Sequence, residues 1–146
     1  MKILITDSAL DELNQYRARS PSHDAKVRQV LSSLREGRLL IQKCGSCGKL
    51  RHYPRPVCDA CFSMQYDWTE VSGRGTIYSW TRTHHAFLPA FKADTPYILV
   101  TVDLEEGPRM NARLHGDGRD PVIGASVICK FEAHDEHWTF PIFALA

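Results

Sequence analysis

Apolar positions change their spacing along the chain, from a helical period in the first part to strict alternation in the second. Over residues 24–36 the apolar side chains recur at i, i+3, i+4 and i+7, which is the spacing of one helical face. This pattern predicts a helix that ends at Gly37. A second helix is predicted over residues 7–17, with Asp7 as its N-terminal cap. We therefore expect residues 1–37 to form a helical segment.

The second half of the chain has the residue pattern of short β-strands. Val, Ile, Thr and aromatic residues alternate there with polar residues, and clusters of Gly, Pro or Asp separate the segments. Strands are predicted near residues 66–72, 75–83, 97–104, 109–115, 125–132 and 137–144. Short strands without an intervening helix favour a small antiparallel barrel or sandwich. The barrel is favoured because Gly73 and Gly75 allow the sharp bend that closure requires.

Residues 38–65 combine little apolar periodicity with four of the five cysteines. These four form two Cys-x-x-Cys pairs with ten residues between them: Cys44, Cys47, Cys58 and Cys61. The spacing is typical of a zinc ribbon, in which each pair wraps a turn around a tetrahedral ion. Four thiolates leave no open position for water or substrate, so we expect structural Zn²⁺ rather than a catalytic metal.

Two other interpretations of the same cysteines remain open. A pair of redox-active Cys-x-x-Cys motifs is one, but such sites lie between a strand and a helix in a βαβ unit, which this sequence does not predict. Iron is the other, since the same tetrahedral thiolate set accepts it. Zinc is favoured over both.

The charge balance argues against a general polyanion binder. Eighteen Lys and Arg are interspersed with seventeen Asp and Glu, which gives a formal charge of +1. Binding of one zinc ion by four thiolates lowers this charge by two units, to about −1. Nucleic-acid-binding domains usually carry a basic face or run, so a nucleic-acid partner is not expected.

A local basic cluster nevertheless surrounds the cysteines. Its members are Lys43, Lys49, Arg51 and Arg55. One interpretation is that these cations compensate the charge of the thiolate centre. The other is that they form an anion-binding face for the phosphates of a nucleotide-like ligand.

The N-terminal sequence predicts neither a secreted nor a membrane protein. The apolar stretch of residues 3–5 is too short for a signal peptide, and no apolar run approaches the roughly 20 residues that cross a bilayer. We expect a cytoplasmic protein. In that reducing compartment, paired cysteines more often hold a metal than form disulfides.

The loop after the strand that ends near Thr83 holds His84, His85, Phe87 and Phe91. Two histidines beside aromatic residues suit acid–base chemistry, but no nucleophile motif, metalloprotease motif or carboxylate pair accompanies them. Prolines flank the two phenylalanines, so this loop cannot easily bury both. We therefore expect a surface that binds a partner or ligand, and we predict no catalytic residue.

The fifth cysteine, Cys129, is expected to be structural. It alternates in phase with Val127 and Phe131 along a predicted strand, so it should point into the barrel. A buried thiol in apolar surroundings is inert, and we expect no redox or nucleophilic role.

Several motifs occur in an order that is known from one family. They are residues 37–51 with Cys44-Gly45-Ser46-Cys47-Gly48, then Tyr53-Pro54-Arg55-Pro56-Val57-Cys58, Gly73-Arg74-Gly75 within residues 68–79, Pro96-Tyr97, Ile123-Gly124-Ala125-Ser126-Val127 and Pro141-Ile142-Phe143. Together they resemble the DUF35 family, in which a rubredoxin-like zinc ribbon is joined to an OB-fold. The resemblance covers about residues 24–145, and the N-terminal residues before it do not match.

The resemblance implies an accessory subunit. DUF35 members typically accompany thiolase-superfamily enzymes that act on acyl-CoA thioesters, including acetoacetyl-CoA thiolases and the aldolases that shorten steroid side chains. The thiolase-type partner is thought to hold the catalytic residues. The ribbon–barrel subunit would stabilise the assembly or help to shape a channel for the CoA substrate, with acyl-CoA at the shared interface.

Pattern and resemblance together predict a mainly β chain with N-terminal helices. The expected domains are the helical segment of residues 1–37, a zinc ribbon over residues 38–65, and a five- to six-stranded OB-fold over residues 66–146. Two other functions remain open: a single-stranded nucleic-acid-binding module, and a free-standing acyl-CoA thioesterase or hydratase with His84 or His85 as its base.

Overall fold

The computed structural model describes most of the chain from residue 21 onward. It covers residues 21–86, 89–116, 118–133 and 138–146, and for residues 21–24, 26–27 and 89–91 it describes the backbone alone. The helix predicted over residues 7–17 therefore lies outside the described residues. No helix in the described part is long and apolar enough to cross a bilayer.

One α-helix, α1, spans Pro21–Arg35. It begins before the predicted start because proline is well tolerated in a first turn, where its missing N–H has no helical acceptor. The helix ends as predicted near Gly37, whose φ of +73° is left-handed. The Arg38 N–H donates to the Ser33 carbonyl at 2.8 Å, which completes a Schellman motif. Leu34, in the last turn, is buried.

Within the described residues, eight strands follow the helix. They are β1 (Leu39–Cys44), β2 (Leu50–Arg51), β3 (Tyr66–Val71), β4 (Arg74–Thr83), β5 (Tyr97–Leu104), β6 (Arg109–His115), β7 (Ser126–Ala133) and β8 (Thr139–Leu145), with a short 3-10 helix (Pro89–Asp94) between β4 and β5.

The first three strands form an antiparallel sheet in the order β2-β1-β3. β3 pairs with β1 along its whole length, from Val71 opposite Leu39 to Tyr66 opposite Cys44. In the structure β3 therefore belongs to the ribbon sheet, while the start of the OB-fold domain at residue 66 stays a prediction. Local alternation sets the faces of a strand but does not identify the sheet that it joins.

The remaining five strands form a closed barrel in the order β4-β5-β6-β8-β7, with β7 pairing back to β4. Every neighbouring pair is antiparallel except β6 and β8, which are parallel where Leu114 lies opposite Phe143. Five strands that close in this order form an OB-fold. The predicted fold class, a zinc ribbon followed by an OB-fold, is confirmed.

The helix, the ribbon and the barrel share one core. The predicted alternation of β5 is confirmed, since the residues on its inward face are buried: Ile98, Val100, Val102 and Leu104. Leu39, Ile41 and Val71 of the ribbon belong to the same apolar cluster as these barrel residues, and so does Leu34 of α1. α1 accordingly packs against β1, β7 and β8.

The junction between ribbon and barrel is short and tightly held. Ser72 and Gly73 alone separate β3 from β4. The Ser72 N–H donates to Glu106 Oε1 at 2.6 Å, and the Cys129 N–H donates to the Gly73 carbonyl at 2.7 Å. Gly73 has φ +71°, and a Cβ on it would lie 2.8 Å from the Cβ of Cys129. Glycine is needed here for close approach as well as for its backbone conformation.

The thiol of Cys129 is buried in the barrel, as expected. Burial raises the pKa of this thiol to about 11, so it stays protonated at neutral pH. A protonated, enclosed thiol is a poor nucleophile, in keeping with a structural role.

Candidate metal centre

Two short turns carry the four paired cysteines. The first knuckle (residues 44–48) is closed by the Gly48 N–H, which donates to the Cys44 carbonyl at 3.0 Å. The second knuckle (residues 58–62) is closed in the same way by the Phe62 N–H, which donates to the Cys58 carbonyl at 2.9 Å. Both closing residues have left-handed backbones, with φ of +74° at Gly48 and +58° at Phe62. The two knuckles therefore share one backbone geometry.

Hydrogen bonds between the knuckle segments hold them opposite one another. Ser46 Oγ donates to Ser63 Oγ at 2.8 Å, and the Gly45 N–H donates to the Gln65 carbonyl at 2.9 Å. This seam lies beside the cysteines of both knuckles, so it sets the two pairs of sulfurs face to face.

The sulfurs of Cys44, Cys47, Cys58 and Cys61 converge on one point. All four Sγ atoms lie within 4.8 Å of one another. The Sγ atoms of Cys44 and Cys61 are 3.6 Å apart, and those of Cys47 and Cys58 are 3.7 Å apart. A tetrahedral ion with metal–sulfur bonds of about 2.3 Å requires sulfurs about 3.8 Å apart. The cluster has the dimensions of a four-coordinate metal site.

Backbone amides prepare two of these sulfurs for the thiolate form. The N–H groups of Cys47 and Ser46 lower the pKa of Cys44 to about 6. The N–H groups of Ala60 and Cys61 likewise lower the pKa of Cys58. These bonds come from the knuckle turns themselves, because two residues between cysteines let the intervening amides point at the first sulfur.

Cys61 shows why the cluster needs a cation. The Ser63 N–H lowers the pKa of this thiol, but the neighbouring sulfurs of Cys47, Cys44 and Cys58, together with burial, outweigh it and raise the pKa to about 12. Four negative charges so close together are not stable without a positive ion between them. A divalent metal supplies that charge and allows all four thiolates to form.

The donor set defines what the centre can do. Four thiolates are soft ligands that bind zinc or iron in a closed tetrahedron. Among the described residues, this is the one cluster of three or more His, Cys, Asp or Glu side chains that could hold a metal. The four predicted cysteines thus form a site that could hold a metal ion.

The basic cluster around the cysteines divides into buried and exposed members. Arg51 is only 6% exposed, and its Nε donates to Gln42 Oε1 while its Nη2 donates to the Arg55 carbonyl at 3.2 Å. The Arg55 N–H donates to the same Gln42 oxygen at 2.9 Å, and the Arg55 side chain is exposed. Lys49 is bonded to Asp59 at 2.7 Å. Arg51 therefore braces the segment between the knuckles, whereas Arg55 faces solvent.

The His84, His85, Phe87 and Phe91 loop is only partly described. His84 and His85 are exposed directly after β4. Phe87 lies outside the described residues, and Phe91 lies in the 3-10 helix Pro89–Asp94, of which the structure describes its backbone alone. The role of this loop stays a prediction.

Two features of the site were not predicted from the sequence, namely the hydrogen bonds of Gln42 and the exposure of Phe62. Gln42 is buried and accepts two hydrogen bonds that fix the segment between the knuckles, yet it follows an apolar run without any motif. Phe62 is highly exposed, although large aromatic residues are usually buried. A signal for Phe62 does exist in the sequence, because Gly48 occupies the corresponding place in the first knuckle.

Comparison with known proteins finds the same two units in the same order. Residues 32–67 match the family described as "ChsH2, rubredoxin-like zinc ribbon domain", and residues 68–132 match "ChsH2, C-terminal OB-fold domain". The chain is 38% identical over 110 residues to a probable enoyl-CoA hydratase alpha subunit of Thermomonospora curvata, covering 75% of this chain and 34% of that protein. It is 32% identical over 75 residues to the benzoylsuccinyl-CoA thiolase subunit BbsA of Geobacter metallireducens, covering 51% of this chain and 49% of that protein.

A solved structure agrees with this chain in both sequence and fold. The "Ltp2-ChsH2(DUF35) aldolase" superposes with a TM-score of 0.71 and 35% sequence identity, over 81% of this chain and 92% of the matched chain. By contrast, the chain spans about a third of the length of the hydratase alpha subunits that it matches. The matched zinc ribbon, the matched OB-fold and this structural agreement show that the chain belongs to the DUF35 family.

Proposed function

We propose that this chain is a non-catalytic accessory subunit of a thiolase-type enzyme that makes or breaks carbon–carbon bonds in acyl-CoA thioesters. The observation that carries the proposal is the similarity to the "Ltp2-ChsH2(DUF35) aldolase", whose name joins a DUF35 chain to an aldolase. The similarity to a benzoylsuccinyl-CoA thiolase subunit supports the same class of enzyme. The partner would hold the catalytic residues, and this chain would stabilise it and help to shape the CoA-substrate channel.

The metal of this subunit is proposed to be structural zinc. Closed tetrathiolate sites are typical of zinc ribbons, and the sulfur spacing suits zinc. When bound, the ion would contribute free energy to the folding of the two knuckles. Iron remains the alternative for the same ligands, and elemental analysis of protein purified without added metal distinguishes the two. A tetrathiolate kept free of disulfides also suits a cytoplasmic location.

Exposed residues near the ribbon and at the end of β4 are the candidates for contact with partner or substrate. Arg55 offers a cation at the surface of the ribbon, and His84 and His85 are exposed on the barrel. Phe87 and Phe91 belong to the same loop as the histidines. Arg51 would act indirectly, because it positions Arg55 through the Arg55 carbonyl.

The nucleic-acid alternative is disfavoured by how the barrel uses its arginines. Arg109 is paired with Asp103 at 2.6 and 3.0 Å, and Arg113 with Asp94 at 3.4 Å. Arginines neutralised by aspartates leave little charge for phosphates, which supply most of the affinity in such complexes. Binding of a labelled oligothymidylate at low salt would favour this alternative, since phosphate contacts are strongest there.

The hydratase alternative has in its favour the names of two relatives, one of which is the Thermomonospora curvata protein. This chain corresponds to only 34% of that protein. Hydration or hydrolysis by the isolated chain would favour an enzyme, and loss of that activity in only one of His84→Ala and His85→Ala would identify the base.

The decisive experiment is reconstitution. Tagged protein is recovered from its source cells, and a co-purifying thiolase-fold protein is identified by mass spectrometry and then produced separately. Acetoacetyl-CoA with free CoA serves as the probe, and the CoA esters are separated by chromatography. We expect no turnover by this chain alone and turnover by the two proteins together that exceeds the partner alone. Turnover by the isolated chain, or the absence of any thiolase-fold partner, would refute the proposal.

A further inference from the structure

The second knuckle carries an aromatic residue in a backbone conformation that disfavours it. Phe62 has φ of +58°, in the left-handed region, where a bulky L-residue is strained and glycine is not. The first knuckle has Gly48 at the equivalent place, with φ of +74° and the same closing hydrogen bond. Comparison of the two knuckles indicates that glycine is the residue best suited to this left-handed backbone position.

Burial of the Phe62 side chain contributes little free energy to offset this backbone strain. It is 79% exposed, so it buries almost no apolar surface within the chain. Backbone strain that the fold does not need is concentrated at binding and active sites in proteins. The conformation of Phe62 therefore points to a contact outside this chain.

Two other apolar side chains are exposed on the segments that enter and leave the second knuckle. Val57 is 40% exposed and Met64 is 70% exposed. The Cys58 N–H donates to the Ser63 carbonyl at 2.9 Å, which holds these two segments side by side. We call Val57, Phe62 and Met64 the knuckle patch. Clustered apolar side chains on a soluble domain mark interaction surfaces.

The knuckle patch has a basic border. Lys49 Nζ lies 2.7 Å from Asp59 Oδ2 in the second knuckle, and the exposed Arg55 lies on the segment that enters this knuckle. Asp59 neutralises Lys49, and among the described residues Arg55 forms no ion pair, so this border carries one net positive charge. A partner surface with carboxylates around an apolar cleft would complement this arrangement.

We propose that the knuckle patch docks into an apolar cleft, bordered by acidic side chains, on the catalytic partner of this chain. The inference rests on the proposed function and adds the surface through which the two subunits meet. Phe62 is its anchor, because aromatic side chains and methionine are enriched at the centres of interfaces. The strain at residue 62 is retained because the aromatic ring is needed by the complex.

The test compares folding and binding in the same variants. Phe62→Gly removes the ring and relieves the backbone, and Phe62→Asn removes the ring with a residue that tolerates the left-handed region. Ile123→Ser is the matched control, since Ile123 is 65% exposed on the barrel and lies outside the patch. Each metal-loaded protein is titrated against the purified thiolase-fold partner by biolayer interferometry. Melting temperature and metal content are measured in parallel.

We expect both Phe62 variants to raise the dissociation constant at least about tenfold, as loss of an interface anchor does. They should keep one equivalent of metal and melt no lower than the wild-type protein. Ile123→Ser should bind within about twofold of wild type, because isolated surface residues contribute little. Arg55→Glu should slow association, since it reverses a charge at the border.

Three results would overturn the docking proposal. Unchanged partner binding by both Phe62 variants would show that the patch is not the interface, and it would leave the proposed function standing. Metal loss or a lower melting temperature in both variants would assign Phe62 to the fold instead. Failure of wild-type protein to retain any thiolase-fold protein would refute the proposed function, and the docking proposal with it.

Discussion

Alanine at position 75 is the sharpest test of how the barrel closes. Gly75 lies at the start of β4 and pairs with Leu104 of β5 and with Val127 of β7. A Cβ on Gly75 would lie 2.4 Å from the Asp103 carbonyl oxygen and 2.6 Å from Val102 Cγ1. The nearer obstacle is backbone in a paired strand, so it cannot withdraw without breaking hydrogen bonds of the barrel. Gly75→Ala is therefore expected to destabilise strongly.

The size of the effect follows from the type of clash. Adding a methyl group to a well-packed core costs about 1–3 kcal/mol, and a backbone obstacle places Gly75→Ala at the upper end, about 3 kcal/mol. Gly116→Ala is the matched control, because nothing lies within 4 Å of its Cβ position and its φ is outside the left-handed region. That control should be neutral, or more stable by up to about 1 kcal/mol through a less flexible unfolded chain.

Urea unfolding of the metal-loaded proteins measures both effects. The free energy of unfolding is extrapolated to water from circular dichroism and tryptophan fluorescence, with agreement between the two probes as the check on two-state behaviour. A Gly75→Ala protein within about 1 kcal/mol of wild type would refute the close approach of β4 to β5. A similar loss in Gly116→Ala would show that any added methyl group destabilises, and that the clash is not the cause.

Three more substitutions test the metal site, the ribbon–barrel contact and the end of the helix. Cys47→Ser removes one thiolate and should purify with little metal, whereas Cys129→Ala should keep one equivalent, as elemental analysis would show. Burial lowers the pKa of His52 from 6.5 and outweighs the opposite effect of the Arg109 backbone. Stability from neutral His52 is therefore full above pH 6.5 and is lost as the pH falls below it. His52→Gln should lose less unfolding free energy than wild type between about pH 7.5 and 5.5, and an equal loss would contradict this assignment. Gly37→Ala places a Cβ at φ +73° and should lower the unfolding free energy by about 1 kcal/mol in the same urea assay.

Signals that are local in sequence predicted the structure well. The alternation of β5 and the Cys-x-x-Cys spacing each depend on residues that are close in the chain. The structure accordingly has the expected buried face of Val100 and Val102 and the expected sulfur cluster. The strand positions in the barrel also follow from Gly, Pro and Asp clusters that interrupt each alternating run.

Features that depend on distant pairing could not be read in this way. β3 alternates like a barrel strand, and only its register with β1 assigns it to the ribbon. Arg51 looks like a surface cation in sequence, but pairing of β2 with β1 puts it opposite Gln42, where its hydrogen bonds bury it. The sequence aligns Phe62 with Gly48 of the first knuckle, but the left-handed backbone of Phe62 becomes apparent only in the structure.

The two-residue junction at Ser72 and Gly73 fixes the orientation of the ribbon relative to the barrel. Both residues form hydrogen bonds with the barrel, and the apolar core is continuous across them. The ribbon and the barrel therefore cannot rotate freely relative to each other. A protein that binds the ribbon alone would therefore also fix the orientation of His84 and His85 at the far end of β4. A protein bound at the cysteine-containing end would thus encounter the barrel loops at a fixed angle.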